Sequence, residues 1–285
     1  MKTASGGLIA LLNSGAPFFM ADLVTISMVD STVLRWTGAD TDLVSDGNTF
    51  SSQGPLIKRT GTRVVRGLEV DTLTLTLLAG ESTQILGIPL PLAAHNGAFD
   101  GATVTLERVF MPTWGDTSLG SIVMFEGNVA AVDPTPTDVR LVAKSELEKL
   151  NQPIPRNLFM PKCNHALYGA GCGVVKATYQ VTGTATGTPT TTSIPSARGE
   201  AADYFRLGVL VMTSGQAAGS RRAVKAFSGG TFTPDIPLPV APAAGDTFTV
   251  FPGCDHSTGA QGCTKFANLN RFRGYPFVPR PETAR

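Results

Sequence analysis

The sequence has little net charge, few aromatic residues, three histidines and no long hydrophobic run. Lysine and arginine number 23 against 22 acidic residues, so the net charge is +1 at pH 7. A chain so close to neutrality lacks the strong field that draws proteins to nucleic acid or to a membrane surface. The longest early apolar run, Leu8 to Leu12, is too short for a signal peptide or a transmembrane helix. We therefore expect a chain that folds in the reducing cytoplasm and does not insert into a membrane.

Motifs of common enzyme classes are also missing. The sequence has no Gly-x-Ser-x-Gly, no His-Glu-x-x-His, no phosphate-binding Gly-Lys-Ser/Thr loop and no flavin or dinucleotide fingerprint. The histidines are His95, His165 and His256, and His95 lies in a turn-like Ala-Ala-His-Asn-Gly stretch. We expect no catalytic residues and a protein that is not an enzyme.

What the sequence does have is glycine, proline and short alternating segments. The 31 glycines and 20 prolines favour many turns over long helices. From Val70 to Leu78, leucine and threonine alternate almost strictly, which predicts a half-buried strand with Leu73, Leu75 and Leu77 facing the core. Further strands are predicted at 18–26, 32–36, 102–110, 121–125 and 139–143, after a partly helical arm at 1–15 and with a possible helix and loop at 82–97.

These patterns predict a mainly β protein in two parts. Residues 1–150 form an all-β domain of barrel or sandwich type, and residues 151–285 form a cysteine-containing region. A small β-barrel, at about 174–251, is inserted in the second region, with predicted strands at 208–213, 222–227 and 246–251. The tail from Phe266 onward has little regular pattern.

Four cysteines, arranged as two matching pairs, carry most of the chemistry. Cys163 and Cys172 form the first pair, Cys254 and Cys263 the second, and the spacing in both is C-x8-C. Each pair has a histidine two residues after its first cysteine and a glycine just before its second. Two equivalent loops with four thiols can surround one tetrahedral centre, so the pattern predicts one metal group held by two distant segments.

Spacing leaves the nature of this centre open. Zinc knuckles usually place two to four residues between ligands, so C-x8-C is long for zinc. Iron–sulfur clusters also take four thiolates. Two disulfides are a third possibility, although a reducing compartment disfavours them, and four separate buried thiols are the plainest alternative. His165 and His256 could replace thiols, but a supporting or surface role is favoured.

The position of the pairs has a mechanical consequence. The chain enters the inserted β-domain beside Cys172 and leaves it beside Cys254, so one shared centre would join the two ends of that domain. Four basic residues lie near the thiols in sequence and could offset their negative charge, although ordinary solvated positions explain them equally well; they are Lys162, Lys265, Arg271 and Arg273.

Several of these segments resemble one known family. They include Cys163 to Val174, Tyr204 to Leu210, Ser214-Gly215, Gly245 to Phe248, Gly253-Cys254-Asp255, and Asn270 to Pro279, and in the first half Asp22 to Thr25, Val33 to Thr37, Asp46-Gly47 and Gly67 to Leu73. Together they resemble the baseplate hub or tail-tip proteins of long-tailed phages and gene transfer agents, similar in role to the tail tip protein L of phage lambda. One departure is Thr264-Lys265 after Cys263, where the family has a closer cysteine pair followed by arginine.

The resemblance implies a structural protein of the virion, located at the tail tip and assembled in the host cytoplasm. It implies a homotrimeric ring between the distal tail protein ring and a central tail fibre or spike protein, with tape measure protein or DNA in the lumen. It further implies a structural [4Fe–4S] cluster on Cys163, Cys172, Cys254 and Cys263, with zinc as the alternative. The competing functions are a metal-dependent or redox enzyme that uses the four-cysteine centre, and a secreted disulfide-bonded binding module.

Overall fold

The computed structural model describes residues 4–62, 70–80, 83–85, 87–151, 154–155 and 157–278. The chain divides into two compact units, Met1–Gln152 and Pro153–Arg285. Gly67 to Glu69 and Pro279, which belong to the segments that carry the family resemblance, lie outside the described residues. None of the described helices is long and apolar enough to cross a membrane.

The first unit is mainly antiparallel β-sheet. Its elements, in chain order, are α1 (Gly6–Ser14), β1 (Phe19–Ser27), β2 (Val33–Thr37), β3 (Leu43–Ser45), β4 (Asn48–Phe50), β5 (Leu56–Arg59), β6 (Thr72–Leu78), β7 (Gln84–Ile85), β8 (Ile88–Pro89), α2 (Leu90–His95), β9 (Thr103–Met111), β10 (Ser121–Pro134), β11 (Asp138–Lys144) and a 3-10 turn at Glu146–Asn151. Seven strands form one sheet in the order β2-β1-β9-β10-β11-β6-β5. The sheet is curled into a half-barrel.

Strict alternation along the strands places the main core on one face of this sheet. Leu73, Leu75 and Leu77 of β6 are fully buried, as their spacing predicts. Val24 of β1 and Leu106 of β9 face the same core, which α2 covers with Leu90, Ala93 and Ala94. Burial of this many large apolar side chains supplies the main driving force for folding of the unit.

The β3–β4 hairpin packs on the opposite face of the sheet, against β1 and β9. There Leu23, Val109 and Met111 pack against Leu43 and Phe50 of the β3–β4 hairpin. Farther along the same face, β1 and β9 present the polar residues Thr25 and Thr105, which lie opposite each other in the strand pairing. The hairpin therefore rests on an apolar contact at one end and on polar side chains at the other.

An ion-pair network spans three strands on the core side of the sheet. Asp22 of β1 accepts from Arg59 Nε of β5 at 2.7 Å and from Arg108 Nε of β9 at 2.8 Å. Burial raises the pKa of Asp22, but the hydrogen bonds from Arg108 and Arg59 outweigh burial and hold this pKa below its ordinary value. The carboxylate thus ties the edge strand β5 to β1 and β9, which lie toward the opposite edge of the curled sheet.

The second unit contains a six-stranded antiparallel sheet, also curled into a half-barrel. Its elements are α3 (Lys176–Tyr179), β12 (Val181–Thr184), β13 (Ile194–Pro195), β14 (Val209–Met212), β15 (Arg221–Ser228), β16 (Thr231–Pro234) and β17 (Thr247–Phe251), followed by 3-10 turns at Cys263–Phe266 and Leu269–Arg271. The strand order is β12-β17-β14-β15-β16-β13. Four mutually packed phenylalanines fill its core: Phe205, Phe227, Phe232 and Phe248.

The mainly β fold predicted from sequence is confirmed. Three local features differ from the expectation. The turn-rich stretch after Gly38 contains the β3–β4 hairpin, β10 extends nine residues beyond the predicted 121–125, and the segment at 82–97 holds two very short strands before a helix of only six residues. Short strands such as β3 and β13 lack the length over which a two-residue period can be recognised.

Replacing Asp22 with asparagine tests the ion-pair network. The substitution removes the charge-assisted acceptor and leaves two partly buried guanidinium groups without it, so we expect a loss of about 1–3 kcal/mol in the free energy of unfolding. Urea titration followed by tryptophan fluorescence measures this, because both tryptophans, Trp36 and Trp114, belong to the first unit.

Two comparisons make the Asp22 test specific. Glu148→Gln breaks an exposed pair with Lys144 and should change stability little. Because the pKa of Asp22 is lowered in the folded state, its contribution is present above its ordinary pKa of 3.8 and is lost as the pH falls through the lower folded value. The difference in the free energy of unfolding between wild type and Asp22→Asn should therefore shrink below about pH 4. A difference that grew there would contradict the assigned ion-pair network.

Candidate metal centre

The two cysteine loops of the second unit are joined directly by hydrogen bonds. Cys163 N donates to His256 O at 2.8 Å, and His256 Nδ1 lies 3.1 Å from Cys163 O. Asn268 Nδ2 donates to Cys172 O at 2.8 Å. Segments about 90 residues apart in sequence are thereby held side by side, as the matching cysteine pairs predict.

Three of the four sulfur atoms accept a hydrogen bond from nitrogen. His256 N lies 3.3 Å from Cys254 Sγ, and Arg273 N lies 3.3 Å from Cys163 Sγ. Asn268 Nδ2 lies 3.5 Å from Cys172 Sγ. Such N–H···S contacts stabilise thiolates and are one of the means by which proteins orient metal-bound sulfur and adjust its electron density.

All four thiols are free, and each is close enough to affect another electrostatically. Burial raises the pKa of Cys263 to about 11, with further contributions from Cys254, Cys163 and Cys172. Burial also raises the pKa of Cys254. A metal group that binds these sulfurs as thiolates must therefore displace their protons.

Within the described part of the chain, no three histidine, cysteine, aspartate or glutamate side chains are grouped so that they could hold one metal ion. The hydrogen bonds to the sulfurs come from the backbone nitrogens of His256 and Arg273 and from the side chain of Asn268.

Glycines allow the loops to pack closely. A Cβ on Gly171 would lie 2.7 Å from the His165 ring, and one on Gly262 would overlap the Ser257 carbonyl. Gly173 has a φ of 69° and lies directly under the Arg271 guanidinium. At the position before each second cysteine, only glycine avoids a clash with another residue of the same loop.

Lys265 connects the second cysteine loop to the inserted β-sheet region. Its Nζ donates to Tyr204 O and to Gly253 O, each at 2.9 Å. Burial lowers the pKa of Lys265, while the nearby Cys254 and Asp255 act in the opposite direction. The ammonium group lies near Cys254, where it can offset thiolate charge, and its hydrogen bonds hold the chain at both sides of β14–β17.

The other basic residues and histidines have distinct positions. Lys162 lines a cavity of about 240 Å³ with Arg206 and Asp255. Arg273 contacts Cys163 through its backbone rather than its guanidinium. The Nδ1 atom of His165 is buried and has no hydrogen-bond partner among the described residues.

Sequence reasoning missed two contributors to the site, Asn268 and Tyr168. Asn268 touches Cys172 twice, and Tyr168, with a φ of 62°, donates to Pro252 O at 2.7 Å. An asparagine five residues after Cys263 has no local pattern that separates it from a turn residue, so no sequence signal identifies it.

Comparison with known proteins adds the family. A family model described as the N-terminal attachment domain of the baseplate hub protein matches residues 5–175, more than half of the 285 residues. The chain belongs to this baseplate hub family. It is therefore a structural protein of a phage-type tail baseplate, and its location is the virion.

Two further comparisons cover the rest of the chain. A second family, described as phage conserved hypothetical protein BR0599, matches residues 203–282, which include Cys254 and Cys263. A chain in the solved structure "Virion of native gene transfer agent (GTA) particle" has the same fold, with a TM-score of 0.72 and 24% identity over 97% of this chain and 94% of that chain. A search of curated proteins finds no match.

Gly253→Ala tests the close packing beside Cys254. The added Cβ would overlap the Leu207 carbonyl carbon and approach Gly208 N, both backbone atoms that cannot rotate away. We expect a loss of about 1–3 kcal/mol or more, measured by proteolysis of the second unit under native conditions. Gly199→Ala is the matched control, because a Cβ there meets no atom within 4 Å. Equal protease resistance of the two variants would contradict the packing argument.

Proposed function

We propose that this hub protein forms a homotrimeric ring at the distal end of the tail, between the distal tail protein ring and a central fibre or spike protein. The observation that carries this proposal is the match of residues 5–175 to the attachment domain of the baseplate hub family. The fold shared with a chain of the gene transfer agent virion over nearly the full length of both proteins supports the same place in the particle. Tape measure protein or DNA would occupy the lumen of such a ring.

We further propose that Cys163, Cys172, Cys254 and Cys263 bind one [4Fe–4S] cluster. Four free thiols from two loops match the all-cysteine ligand set of such clusters. Three of the four sulfurs also accept N–H hydrogen bonds, which proteins use to stabilise the thiolates of iron–sulfur clusters. Lys265 lies where a cation offsets the negative charge of four thiolates.

The role proposed for this group is structural. Its binding energy would add to the folding stability of the second unit, because its ligands lie at the two ends of the inserted sheet. The protein's own residues position the loops through the Cys163–His256 and Asn268–Cys172 hydrogen bonds. We infer an architectural function without catalysis, in which the cysteine region keeps the inserted β-sheet attached at a defined position.

Metal and sulfide content of protein purified without oxygen tests the proposed cluster. We expect brown protein with about four iron and four acid-labile sulfide per chain. One zinc per colourless chain would retain the four-cysteine site and overturn the cluster. A chain with no metal and oxidised thiols would overturn both and favour disulfides.

Substitution of one ligand identifies the site. Cys254→Ser should remove most of the iron and make the second unit more susceptible to protease, because one of four ligands is lost. Thr258→Ser, in the same loop with an exposed side chain, is the matched control and should retain full iron. Full iron content in the Cys254→Ser protein would show that the cluster is bound elsewhere.

Native mass spectrometry tests the ring. We expect a species at three times the 29.8 kDa chain mass plus cofactor. A stable dimer, or a monomer at micromolar concentration, would contradict the proposed homotrimer while leaving the cysteine centre to be judged by its iron content.

A further inference from the structure

The polar end of the contact between the β3–β4 hairpin and the sheet borders a solvent-open cavity of about 200 Å³ in the first unit. The apolar end of this contact is filled by Leu43, Phe50 and their partners. Beyond them the sheet presents Thr25, Thr105 and Glu107, which alternation places on the same face. The cavity therefore lies between two ordered elements and does not depend on a single loop.

Oxygen atoms dominate the side chains that line this cavity. The hairpin contributes Ser45, Asp46 and Asn48, and the sheet contributes Thr25, Thr105 and Glu107. Two carboxylates, one amide and three hydroxyls are the ligand types that hard divalent cations prefer. Phe50 closes one side, and Arg35 also lines the cavity.

Ser45 is a second, independent observation that points to a ligand at this position. Ser45 is only 3% exposed to solvent, and its hydroxyl has no hydrogen-bond partner among the described residues. Leu43 and Ser45 are both buried and Val44 between them is exposed, so the Ser45 side chain points from the hairpin toward the sheet. A buried hydroxyl left without a partner is destabilising, and a bound cation would supply one.

The charges around the cavity favour a cation. Burial and the nearby Asp46 both raise the pKa of Glu107, while the Ser121 hydroxyl partly offsets them. Two carboxylates face one guanidinium, that of Arg35, which leaves an excess of negative charge. Arg35 would repel a bound cation, so the affinity should be modest.

We propose that Ser45, Asp46 and Asn48 of the hairpin, together with Thr105 and Glu107 of the sheet, form a calcium site. Calcium accepts six to eight oxygen ligands in irregular geometry and can complete its shell with water, whereas magnesium requires a near-ideal octahedron. Neutral hydroxyls and an amide beside two carboxylates match the calcium requirement. The ion would fix the polar end of the hairpin on the sheet, where apolar packing is absent.

Isothermal titration of the chelator-treated full chain with calcium chloride tests this site. We expect one saturable site with a dissociation constant on the order of 10⁻⁴–10⁻³ M, and binding of magnesium at least about tenfold weaker. Glu107→Gln should weaken calcium binding at least about tenfold. The matched control, Asp133→Asn, removes an exposed carboxylate that does not line the cavity and should bind as the wild type does.

Two more variants keep the test decisive if Glu107→Gln folds poorly. Ser45→Ala removes the unpartnered hydroxyl, so it should melt at a higher temperature without calcium yet gain less from calcium than the wild type. Arg35→Gln removes the opposing cation and should bind calcium more tightly. No saturable calcium binding by the full chain, or equal affinity of Glu107→Gln and Asp133→Asn, would overturn the proposal.

Discussion

The second unit depends on the paired hydrogen bonds between Cys163 and His256, which join loops 93 residues apart. One contact joins backbone to backbone and the other joins the His256 ring to the Cys163 carbonyl; beside them, Arg273 N reaches Cys163 Sγ and Asn268 reaches Cys172. The two loops precede and follow the inserted sheet in sequence, so these contacts join the segments at its start and end. The fold thus brings four thiols into one neighbourhood without any bond between them, and their mutual repulsion as thiolates is a cost that a bound cationic group would remove.

In the first unit, one alternating sheet supports two different kinds of contact. On the core face, apolar side chains give way to the Asp22–Arg59–Arg108 network, which joins the edge strand β5 to β1 and β9 toward the other edge of the sheet. On the opposite face, apolar packing of the β3–β4 hairpin gives way to the oxygen-lined cavity. In both places the polar groups lie where a strand continues past the apolar cluster. The proposed calcium ion and the observed ion pairs would therefore do similar work, holding elements together where hydrophobic burial ends.

Much of this could be predicted from the sequence. The strict alternation of β6 identified its buried leucines. The repeated C-x8-C spacing, with a histidine and a glycine at matching places in both loops, indicated that two distant loops belong together. The β3–β4 hairpin was missed because three-residue strands show too little periodicity. Asn268, Tyr168 and the Ser45 cavity were missed for another reason: each acts through contacts between residues far apart in the chain, which local patterns do not encode.

The central claim is that all four cysteines bind one iron–sulfur cluster. Anomalous X-ray diffraction at the iron absorption edge, from crystals of the full chain grown without oxygen, tests it most directly. We expect one strong iron peak per chain, bounded by the Sγ atoms of Cys163, Cys172, Cys254 and Cys263. A peak only at the zinc edge, a disulfide within either loop, or iron bound by fewer than four of these sulfurs would contradict it.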